Sequence, residues 1–268
     1  DPAPTAARKA SAAGIETLLD YFSSALARRI RAEWGPAALV TANNVFAHSE
    51  TLPDMADGVA ALLADDGLFV FEVAYLVDMI ENMVFDSVYH EHLCYHSVKP
   101  LRSFLLRHGL ELIDAERIEG KGGSLRCVAQ KAGGARKASP RVAELLALEA
   151  KLSLDQPKIF EDYAAVIGRC KMDFLKILDG LAAQGKTVAG YGASATVTTL
   201  LHHFDLGKRI AFLLDDNPLK QGLFSPGYHL EVLPSEALYE RRPDCVAVLA
   251  WRFAPMIVKK HQAYLDRG

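Results

Sequence analysis

The apolar run from Gly67 to Val73 is the feature that most constrains the fold. The turn pair Asp66-Gly67 opens this run, which predicts a buried strand that ends at Val73. Ala38 to Asn43 is a second run of this kind, and Pro53 to Ala64 between them has apolar residues at helical spacing. Strands that alternate with helices favour a parallel sheet with right-handed crossovers. The sequence therefore predicts an α/β protein.

Flanking segments extend this alternation towards the start of the chain. Thr5 to Ala13 has the composition of a helix, which Gly14 would end. Ile15 to Leu19 is a short strand candidate, and Ser23 or Ser24 can cap a helix that reaches Trp34. The opening pair Asp1-Pro2 is followed by no glycine-rich loop, which predicts that further residues precede Asp1 in the protein.

The pattern changes after a predicted helix from Val98 to His108. Leu110 to Ile118 and Ser124 to Gln130 are joined through the loop 120–123, which is rich in glycine, and this predicts an antiparallel hairpin. A mostly parallel sheet with an antiparallel edge strand is typical of the Rossmann-like class I methyltransferase domain. This analogy concerns the fold and not the activity.

Three sections of the chain follow from these patterns. Residues 1–132 are predicted to form the first domain, without the first strands of its fold, and residues 133–185 a linker with helices separated at Pro157. Residues 186–268 are predicted to form a second Rossmann-like α/β domain. Residues 188–195 (VAGYGASA) open this domain, and strands from Ile210 to Leu214 and Cys245 to Ala250 and a helix from Ala254 to Leu265 are expected after them.

Composition excludes several classes of function. The net charge is −3 with charges mixed along the chain, and no apolar run approaches the roughly 20 residues of a membrane span. We therefore expect neither a nucleic acid nor a membrane as a partner. The four cysteines stand singly, which indicates no zinc knuckle or redox dithiol and favours a reduced, cytoplasmic, metal-free chain. A monomer is the default expectation.

The run 85–96 (FDSVYHEHLCYH) concentrates titratable side chains just beyond the predicted strand that ends at Val73. Open α/β sheets place their chemistry at this end of the strands, and neighbouring titratable groups perturb one another. His48 and Asn43-Asn44 follow the neighbouring strand, so parallel pairing would bring them near Tyr89 to His92. The alternative is that histidines and tyrosines only line a loop or the edge of the core, and that the asparagines only form a turn.

A second group of candidates lies in residues 186–268. Gly190-x-Gly192-x-x-Ala195 follows an apolar strand and begins a helix, which is the setting in which such glycines bind phosphate or a nucleotide. Asp215 and Asp216 follow the next strand, where an acid can meet a ribose hydroxyl. A plain strand-to-helix turn is the alternative. Residues 122–124 likewise allow two interpretations: they can form only the turn of the hairpin, or they can present backbone amides to an anion.

Together these motifs resemble the S-adenosylmethionine-dependent sugar C-methyltransferase family, particularly the C-3′-methyltransferases of dTDP-4-keto-deoxysugars in antibiotic biosynthesis. The resemblance spans essentially the whole chain. It is carried by residues 39–48 (LVTANNVFAH), 85–92 (FDSVYHEH), 122–126 (GGSLR), 190–193 (GYGA), 215–222 (DDNPLKQG) and 250–251 (AW).

The resemblance implies an S-adenosylmethionine cofactor, an S-adenosylhomocysteine product, a dTDP-sugar substrate and a histidine base that forms an enolate. The implied catalytic residues are His92, Tyr89, Glu91 and His48. Asp1, Phe22, Asn43 and Asn44 would bind the cofactor. The implied substrate-binding residues are Gly122, Ser124, Gly190, Gly192, Ser194, Asp216 and Asn217. The family's cysteine-rich zinc module and glycine-rich cofactor loop have no counterpart in the sequence, so zinc would belong only to that module.

Three alternatives remain open at this point. Tyr95-x-x-x-Lys99 has the spacing used by NAD-dependent nucleotide-sugar oxidoreductases and epimerases. His90, His92 and His96 suggest a metal hydrolase, although only His92 and His96 share the i, i+4 spacing. A non-catalytic partner domain that retains only the fold is the third.

Overall fold

The computed structural model describes residues 1–120 and 122–266, and these form two compact units. The first unit contains residues 1–82 and 91–159, and the second contains residues 83–90 and those from 160 onward. The predicted division at residues 132 and 185 differs from this one. Residues 133–159 lie in the first unit and residues 160–185 in the second.

The first unit is a mixed α/β structure with strand order β1-β2-β4-β3, in which β1 and β2 are parallel and the other two pairs antiparallel. The predicted hairpin and the predicted parallel pair of strands are both present. The predicted antiparallel edge strand was wrong, because the antiparallel strand β4 lies between β2 and β3 and the edge strand β3 runs in the same direction as β1 and β2. The elements are α1 (Pro4–Ala12), α2 (Ser24–Trp34), β1 (Ala37–Asn43), α3 (Leu52–Leu62), β2 (Leu63–Ala74), α4 (Leu76–Glu81), α5 (Val98–Arg107), β3 (Leu110–Ile118), β4 (Ser124–Lys131) and α6 (Pro140–Lys151). Lys121 of the predicted hairpin loop lies outside the described residues.

Two local predictions were wrong. Ile15 to Leu19 is not a strand, because it pairs with no strand in the described part of the chain and leaves Ile15 and Leu19 about 60% exposed. Asp66-Gly67 does not start β2 but lies inside it, at an irregularity where Ala37 pairs with Leu63 and Leu39 with Leu68. A Cβ on Gly67 would lie 2.8 Å from the Ala37 carbonyl oxygen, so this close approach requires glycine.

A buried carboxylate stabilises the start of α5. Glu149 of α6 is 3% exposed, and its oxygens accept the N–H groups of Val98 (2.5 Å) and Lys99 (2.9 Å) and the hydroxyl of Tyr75 (3.0 Å). A negative charge is stabilised at a helix N-terminus, where the backbone N–H groups lack partners within the helix. The α6 helix is therefore fixed to Tyr75 and to the start of α5 by polar contacts, in addition to its packing on the apolar core.

The second unit has a parallel sheet with strand order β7-β6-β5-β8. From β5 the chain passes to β6 and β7 on one side and then to β8 on the other side. The expected strand from Ile210 to Leu214 is shorter than predicted, and the expected last helix is divided at His261. The elements are α7 (Pro157–Ala183), β5 (Val188–Tyr191), α8 (Ala195–His203), β6 (Leu213–Leu214), β7 (Val232–Leu233), α9 (Ala237–Arg241), β8 (Cys245–Val248), α10 (Ala254–Lys260) and α11 (Gln262–Leu265).

Pro157 begins α7, as the predicted break between two helices requires. Among the described helices, none combines the length and the hydropathy that crossing a bilayer demands.

His96 belongs to the core of the first unit. Its side chain is 7% exposed, its ring stacks on Phe46 with centroids 6.0 Å apart, and its Nε2 atom has no hydrogen-bond partner among the described residues. Burial lowers the pKa of His96 to about 4, and a hydrogen bond with the Phe46 backbone offsets only part of this effect. The neutral imidazole is therefore the form that the fold accommodates.

We predict that His96 makes the first unit sensitive to acid. The unfolded chain has the higher pKa, near 6.5, so the contribution of His96 to stability is complete above that pH and is lost as the pH falls towards 4. Between pH 7 and pH 4 the wild-type free energy of unfolding should fall by about 3 kcal/mol more than that of His96→Phe. Urea denaturation across this range measures both. The exposed control His229→Asn should keep the wild-type dependence, and equal slopes for His96→Phe and wild type would contradict the prediction.

Candidate functional site

The loop after β1 has a fixed conformation. Asn44 adopts the left-handed region (φ 53°), and its N–H donates to the Glu72 carbonyl at 2.9 Å. Phe46 is fully buried, with its ring 5.1 Å from that of Phe71. Asparagine tolerates the left-handed region better than most residues, so the turn agrees with its sequence. His48 then lies half-buried at the carboxyl end of the strand.

Three hydrogen bonds join this loop to the titratable run. The Ala47 carbonyl accepts the N–H groups of Leu93 (3.1 Å) and Cys94 (3.2 Å). The His48 ring bonds through Nδ1 to the Glu91 carbonyl at 2.7 Å. As a result, the His48 and His92 rings lie with their centroids 4.9 Å apart and tilted by 55°. The predicted proximity of His48 and His92 is confirmed.

The bond to Glu91 selects one tautomer of His48. A carbonyl oxygen can only accept, so Nδ1 must carry the hydrogen. Nε2 of the neutral ring then has a lone pair and can take a proton, whereas the protonated ring would donate from Nε2. His48 is therefore a possible proton acceptor in its neutral form and an oxyanion stabiliser only in its charged form.

The titratable residues 89–96 are divided between the two units. Tyr89 and His90 lie in the second unit with ring centroids 5.9 Å apart, whereas Glu91 and His92 lie in the first unit. His96 is a core residue, and no group of three His, Cys, Asp or Glu side chains within residues 1–120 and 122–266 is arranged to hold a metal ion. Lys99 donates to Asp155 at 2.7 Å, so its ammonium group is already paired.

The four residues expected to bind the cofactor lie in the first unit. Asn43 is exposed at the end of β1, directly before Asn44. Phe22 packs on the core, where a Cβ on Gly58 would lie 3.1 Å from its ring. The Asp1 carboxylate accepts the Ala3 N–H at 2.8 Å. Their role stays a prediction.

The hairpin loop uses its polar groups internally. The Gly122 carbonyl accepts from Asn82 at 3.0 Å, and Gly123 N–H donates to Gly120 at 2.7 Å. Ser124 is 1% exposed, and its hydroxyl donates to the Gly120 carbonyl at 3.3 Å. The hairpin interpretation explains these contacts. The substrate-binding role of Gly122 and Ser124 stays a prediction.

A cavity of about 430 Å³ opens in the second unit at the carboxyl ends of β5, β6 and β8. The direction of the connections reverses between β5 and β8, and ligands of open α/β sheets bind at such a point. Its lining combines glycine-loop backbone, carboxylates, two lysines and apolar side chains. The lining residues are Tyr191, Gly192, Ala193, Ser194, Asp215, Asp216, Lys220, Ala250, Phe253, Met256, Ile257 and Lys260.

The two glycines of the predicted phosphate loop have different roles. A Cβ on Gly190 would lie 2.7 Å from Leu213 and 2.8 Å from Leu249, so Gly190 is needed for packing inside the sheet. Gly192 has φ 116° and lines the cavity. The Ser194 hydroxyl accepts the Val197 N–H at 3.3 Å and so caps α8. Gly190 therefore does not line the cavity itself.

The Asp215 carboxylate organises the cavity wall. It is 9% exposed and accepts the N–H groups of Ala193 (2.7 Å) and Asn217 (2.9 Å), and Lys220 approaches it at 3.4 Å. The Asn217 side chain in turn accepts the Leu219 N–H at 3.0 Å. Asp215 thus joins the loop after β5 to the loop after β6.

A polar chain runs from Asp216 into the interior. Asp216 accepts the Tyr191 hydroxyl (3.0 Å) and the Lys260 ammonium (2.5 Å). Tyr191 also bonds to His261 Nε2 (3.0 Å), and the other ring nitrogen of His261 bonds to Tyr239 (3.1 Å). Burial opposes ionisation of Asp216, but the hydrogen bonds from Lys260, Ser235 and Tyr191 outweigh it and hold the pKa of Asp216 below its ordinary value. Asp216 is therefore a carboxylate at neutral pH.

Sequence reasoning missed Lys220, Lys260 and Phe253 of the cavity. Lys220 lies within the 215–222 motif but was not selected from it. Lys260 lies on α10, more than 40 residues beyond Asp216 in the sequence, and no local spacing connects the two residues. Only the return of α10 to the sheet edge brings them together.

We predict opposite stability effects for two Gly→Ala changes in this unit. Gly190→Ala should lower the free energy of unfolding by about 1–3 kcal/mol, because the new methyl group overpacks the sheet. Gly180→Ala in α7 should raise it by about 0.5–1 kcal/mol. Apart from the neighbouring residues and the backbone of α7 itself, no atom of the described residues lies within 4 Å of the new methyl group, and alanine favours helix. Urea denaturation compares the two, and a stable Gly190→Ala variant would contradict the packing role.

Comparison with known proteins agrees with this architecture. Residues 3–115 match the methyltransferase domain family, which confirms the class I methyltransferase fold predicted for the first unit. Over 269 aligned positions the chain is 35% identical to the C-methyltransferase NovU of Streptomyces niveus. The match includes the whole chain but spans only 64% of that relative's length.

Solved structures resemble parts of the chain. A putative methyltransferase of Haloferax volcanii, in complex with its Trm112 activator, has a TM-score of 0.36 at 13% identity, covering 49% of this chain and 70% of its own. An S-adenosylmethionine-dependent methyltransferase of Anabaena variabilis has a TM-score of 0.36 at 15% identity, covering 47% of this chain and 62% of its own.

Residues 119–268, more than half of the sequence, match the family described as the C-methyltransferase C-terminal domain. The chain therefore belongs to the C-methyltransferase family.

Proposed function

We propose that the protein transfers a methyl group from S-adenosylmethionine to C3 of a dTDP-4-keto-deoxysugar and releases S-adenosylhomocysteine. Family membership supports carbon as the methyl acceptor. The observation that carries the proposal is the pairing of His48 and His92 at 4.9 Å beside the carboxyl end of β1. Two imidazoles in one place suit the removal of a proton from a carbon acid at neutral pH.

Carbon methylation requires a nucleophilic carbon. A proton on the carbon next to a ketone is removable because the charge spreads into an enolate. In the proposal His92 takes the C3 proton and Glu91 orients the sugar or the imidazole. Tyr89, and His48 when protonated, would donate to the enolate oxygen, where electrostatic stabilisation is most effective. Neutral His48 is the second candidate base, because its Nε2 is the free acceptor of the tautomer fixed by Glu91.

The residues proposed to hold the cofactor match it in chemical kind. The Asp1 carboxylate can accept ribose hydroxyls, the amides of Asn43 and Asn44 both donate and accept, and Phe22 offers an apolar ring. When bound, S-adenosylmethionine would supply an electrophilic methyl group on a sulfonium centre. The protein's part is then to hold the cofactor, orient the sugar and move one proton.

We further propose that the cavity of the second unit binds the nucleotide diphosphate of the sugar. Lys220 and Lys260 supply positive charge, and the loop 192–194 brings backbone close to a ligand. Phe253, Met256 and Ile257 supply an apolar wall for a base or deoxysugar ring. Each lysine also contacts a carboxylate, Asp215 or Asp216, which fixes the positions of the ammonium groups.

We predict that His92→Asn lowers kcat by about 10²–10⁴-fold, the usual contribution of a positioned base. Exchange of the C3 hydrogen into heavy water should fall with it, because exchange needs only proton removal. The test uses the complete protein, labelled S-adenosylmethionine and a panel of dTDP-4-keto sugars. A rate within about tenfold of wild type would reject His92 as the base. Parallel measurement of His48→Asn separates the two histidines: the base is the one whose loss abolishes exchange.

We predict that Lys260→Met weakens dTDP binding by about tenfold or more, because it removes a cation next to the proposed phosphates. Calorimetry with dTDP measures this effect. Lys208→Met, an exposed lysine of the same unit that does not line the cavity, is the matched control and should bind dTDP like wild type. An unchanged affinity of Lys260→Met for dTDP would contradict the proposed role of Lys260 in phosphate binding.

A further inference from the structure

The segment 83–90, just before Glu91 and His92, is anchored within the second unit by a buried ion pair. Asp86 is 1% exposed. One carboxylate oxygen accepts from Arg252 Nη1 at 2.8 Å and the other accepts from Trp251 Nε1 at 3.1 Å. The guanidinium of Arg252 also lies 5.3 Å from the centre of the Trp251 ring. We call Asp86, Trp251 and Arg252 the Asp86 clasp.

Two further contacts hold the residues on either side of Asp86. The Phe85 ring stacks on Phe204 with centroids 5.3 Å apart and an angle of 17°. The Thr199 hydroxyl donates to the Val88 carbonyl at 3.3 Å. Residues 85, 86 and 88 are therefore each fixed, and Tyr89 follows immediately.

A buried ion pair is an inefficient way to gain stability. Removing a carboxylate and a guanidinium from water costs several kcal/mol each, and apolar residues of similar volume often stabilise a fold as well or better. The clasp instead fixes the orientation of the Asp86 side chain, because each of its two carboxylate oxygens accepts from a donor of fixed geometry. This favours a role in fixing the position of the backbone at Asp86.

The clasp is continuous with the wall of the cavity. Trp251 and Arg252 belong to one turn of 3-10 helix, Trp251–Phe253, just after β8. The residues on either side of this pair, Ala250 and Phe253, line the cavity. The Ala250 N–H donates to the backbone carbonyl of Tyr191 at 2.9 Å. A ligand that presses on Ala250 or Phe253 therefore acts on the turn that holds Asp86.

On the other side, the run after His90 is fixed in the first unit by the bonds to Ala47 and His48. Only Tyr89 and His90 separate Val88, the last residue held in the second unit, from Glu91, the first residue held in the first unit. So short a stretch of chain limits the distance between Val88 and Glu91, since each residue spans at most about 3.6 Å. The position of the clasp therefore restricts the positions open to Tyr89, which follows Val88 directly.

We propose that Asp86 is a positioning residue that connects the cavity of the second unit to the candidate catalytic residue Tyr89 through the Asp86 clasp and the chain 86–89. The inference rests on the proposed function. Asp86 acts through its neighbours in the chain and takes no direct part in proton transfer. It determines where Tyr89 lies while a ligand occupies the cavity of the second unit.

The test compares Asp86→Asn in the complete protein with the matched control Asp179→Asn. Asp179 also binds an arginine of the second unit, Arg209, at 2.5 Å, but lies on α7 outside the segment 83–90. Asp86→Asn should lower kcat about a hundredfold, the effect of misplacing a catalytic group by about 1 Å. The KM for the sugar should stay within about threefold, and the control should match wild type in both constants.

Two measurements separate positioning from general stability. Hydrogen–deuterium exchange should increase in peptides that cover residues 83–92 and stay unchanged in β5 and β8. The double variant Asp86→Asn/Arg252→Met has no unpaired buried charge, so its melting temperature should recover towards wild type. Its kcat should stay low, because the clasp is still absent. Trp251→Phe, which loses only the indole N–H donor, should show a smaller fall in kcat.

Each outcome is decisive. Wild-type kcat in Asp86→Asn, or exchange that rises throughout the second unit, would overturn the inference and leave methyl transfer intact. Recovery of both stability and kcat in the double variant would show a purely structural role and also overturn it. If the complete protein methylates no dTDP-4-keto sugar, the proposed function fails. The exchange pattern of Asp86→Asn then still decides whether the clasp holds the segment.

Discussion

The carbonyl oxygen of Ala47 is the acceptor on which the candidate active site of the first unit depends. It accepts two N–H groups from the run that carries His92, and the neighbouring His48 ring adds a third bond to the same run. Phe46, fully buried under these bonds, fixes the loop to the aromatic core. The two histidines are therefore held by backbone hydrogen bonds and by a packed ring. Such bonds are specific in direction, and each is worth most where water is excluded.

Buried carboxylates serve the same purpose at three other positions. Glu149 caps α5 from a distant helix, Asp215 joins two loops at the edge of the second sheet, and Asp86 holds the segment 83–90. In each case the charge is met by at least two donors, as burial of a charge requires. Each acid links elements that are distant in sequence. The polar groups in the interior thus position loops that carry candidate functional residues, while the apolar clusters supply the stability.

Much of the fold could be predicted because its signals are local. The helices from Ser24 and Val98 and the hairpin of β3 and β4 follow from caps, periodicity and glycine-rich turns. The strand expected at Ile15 to Leu19 failed because a strand needs a partner that local sequence cannot reveal. The start of β2 was misplaced because Asp66-Gly67 has the sequence of a turn, whereas the structure uses the missing side chain of Gly67 for a close approach to Ala37.

The sequence alone determined the α/β class, the position of the titratable run after a buried strand, and the family resemblance, because these reside in residue order. It also predicted that His48 and His92 meet, since parallel neighbouring strands end at one edge. Only the tertiary structure decided that His96 is a core residue, that Gly190 serves packing while Gly192 lines the cavity, and that Lys260 reaches Asp216. It alone joined Asp86 to Trp251 and Arg252. The reason is physical: burial and long-range hydrogen bonds depend on where the chain returns in space, and spacing along the sequence does not encode that return.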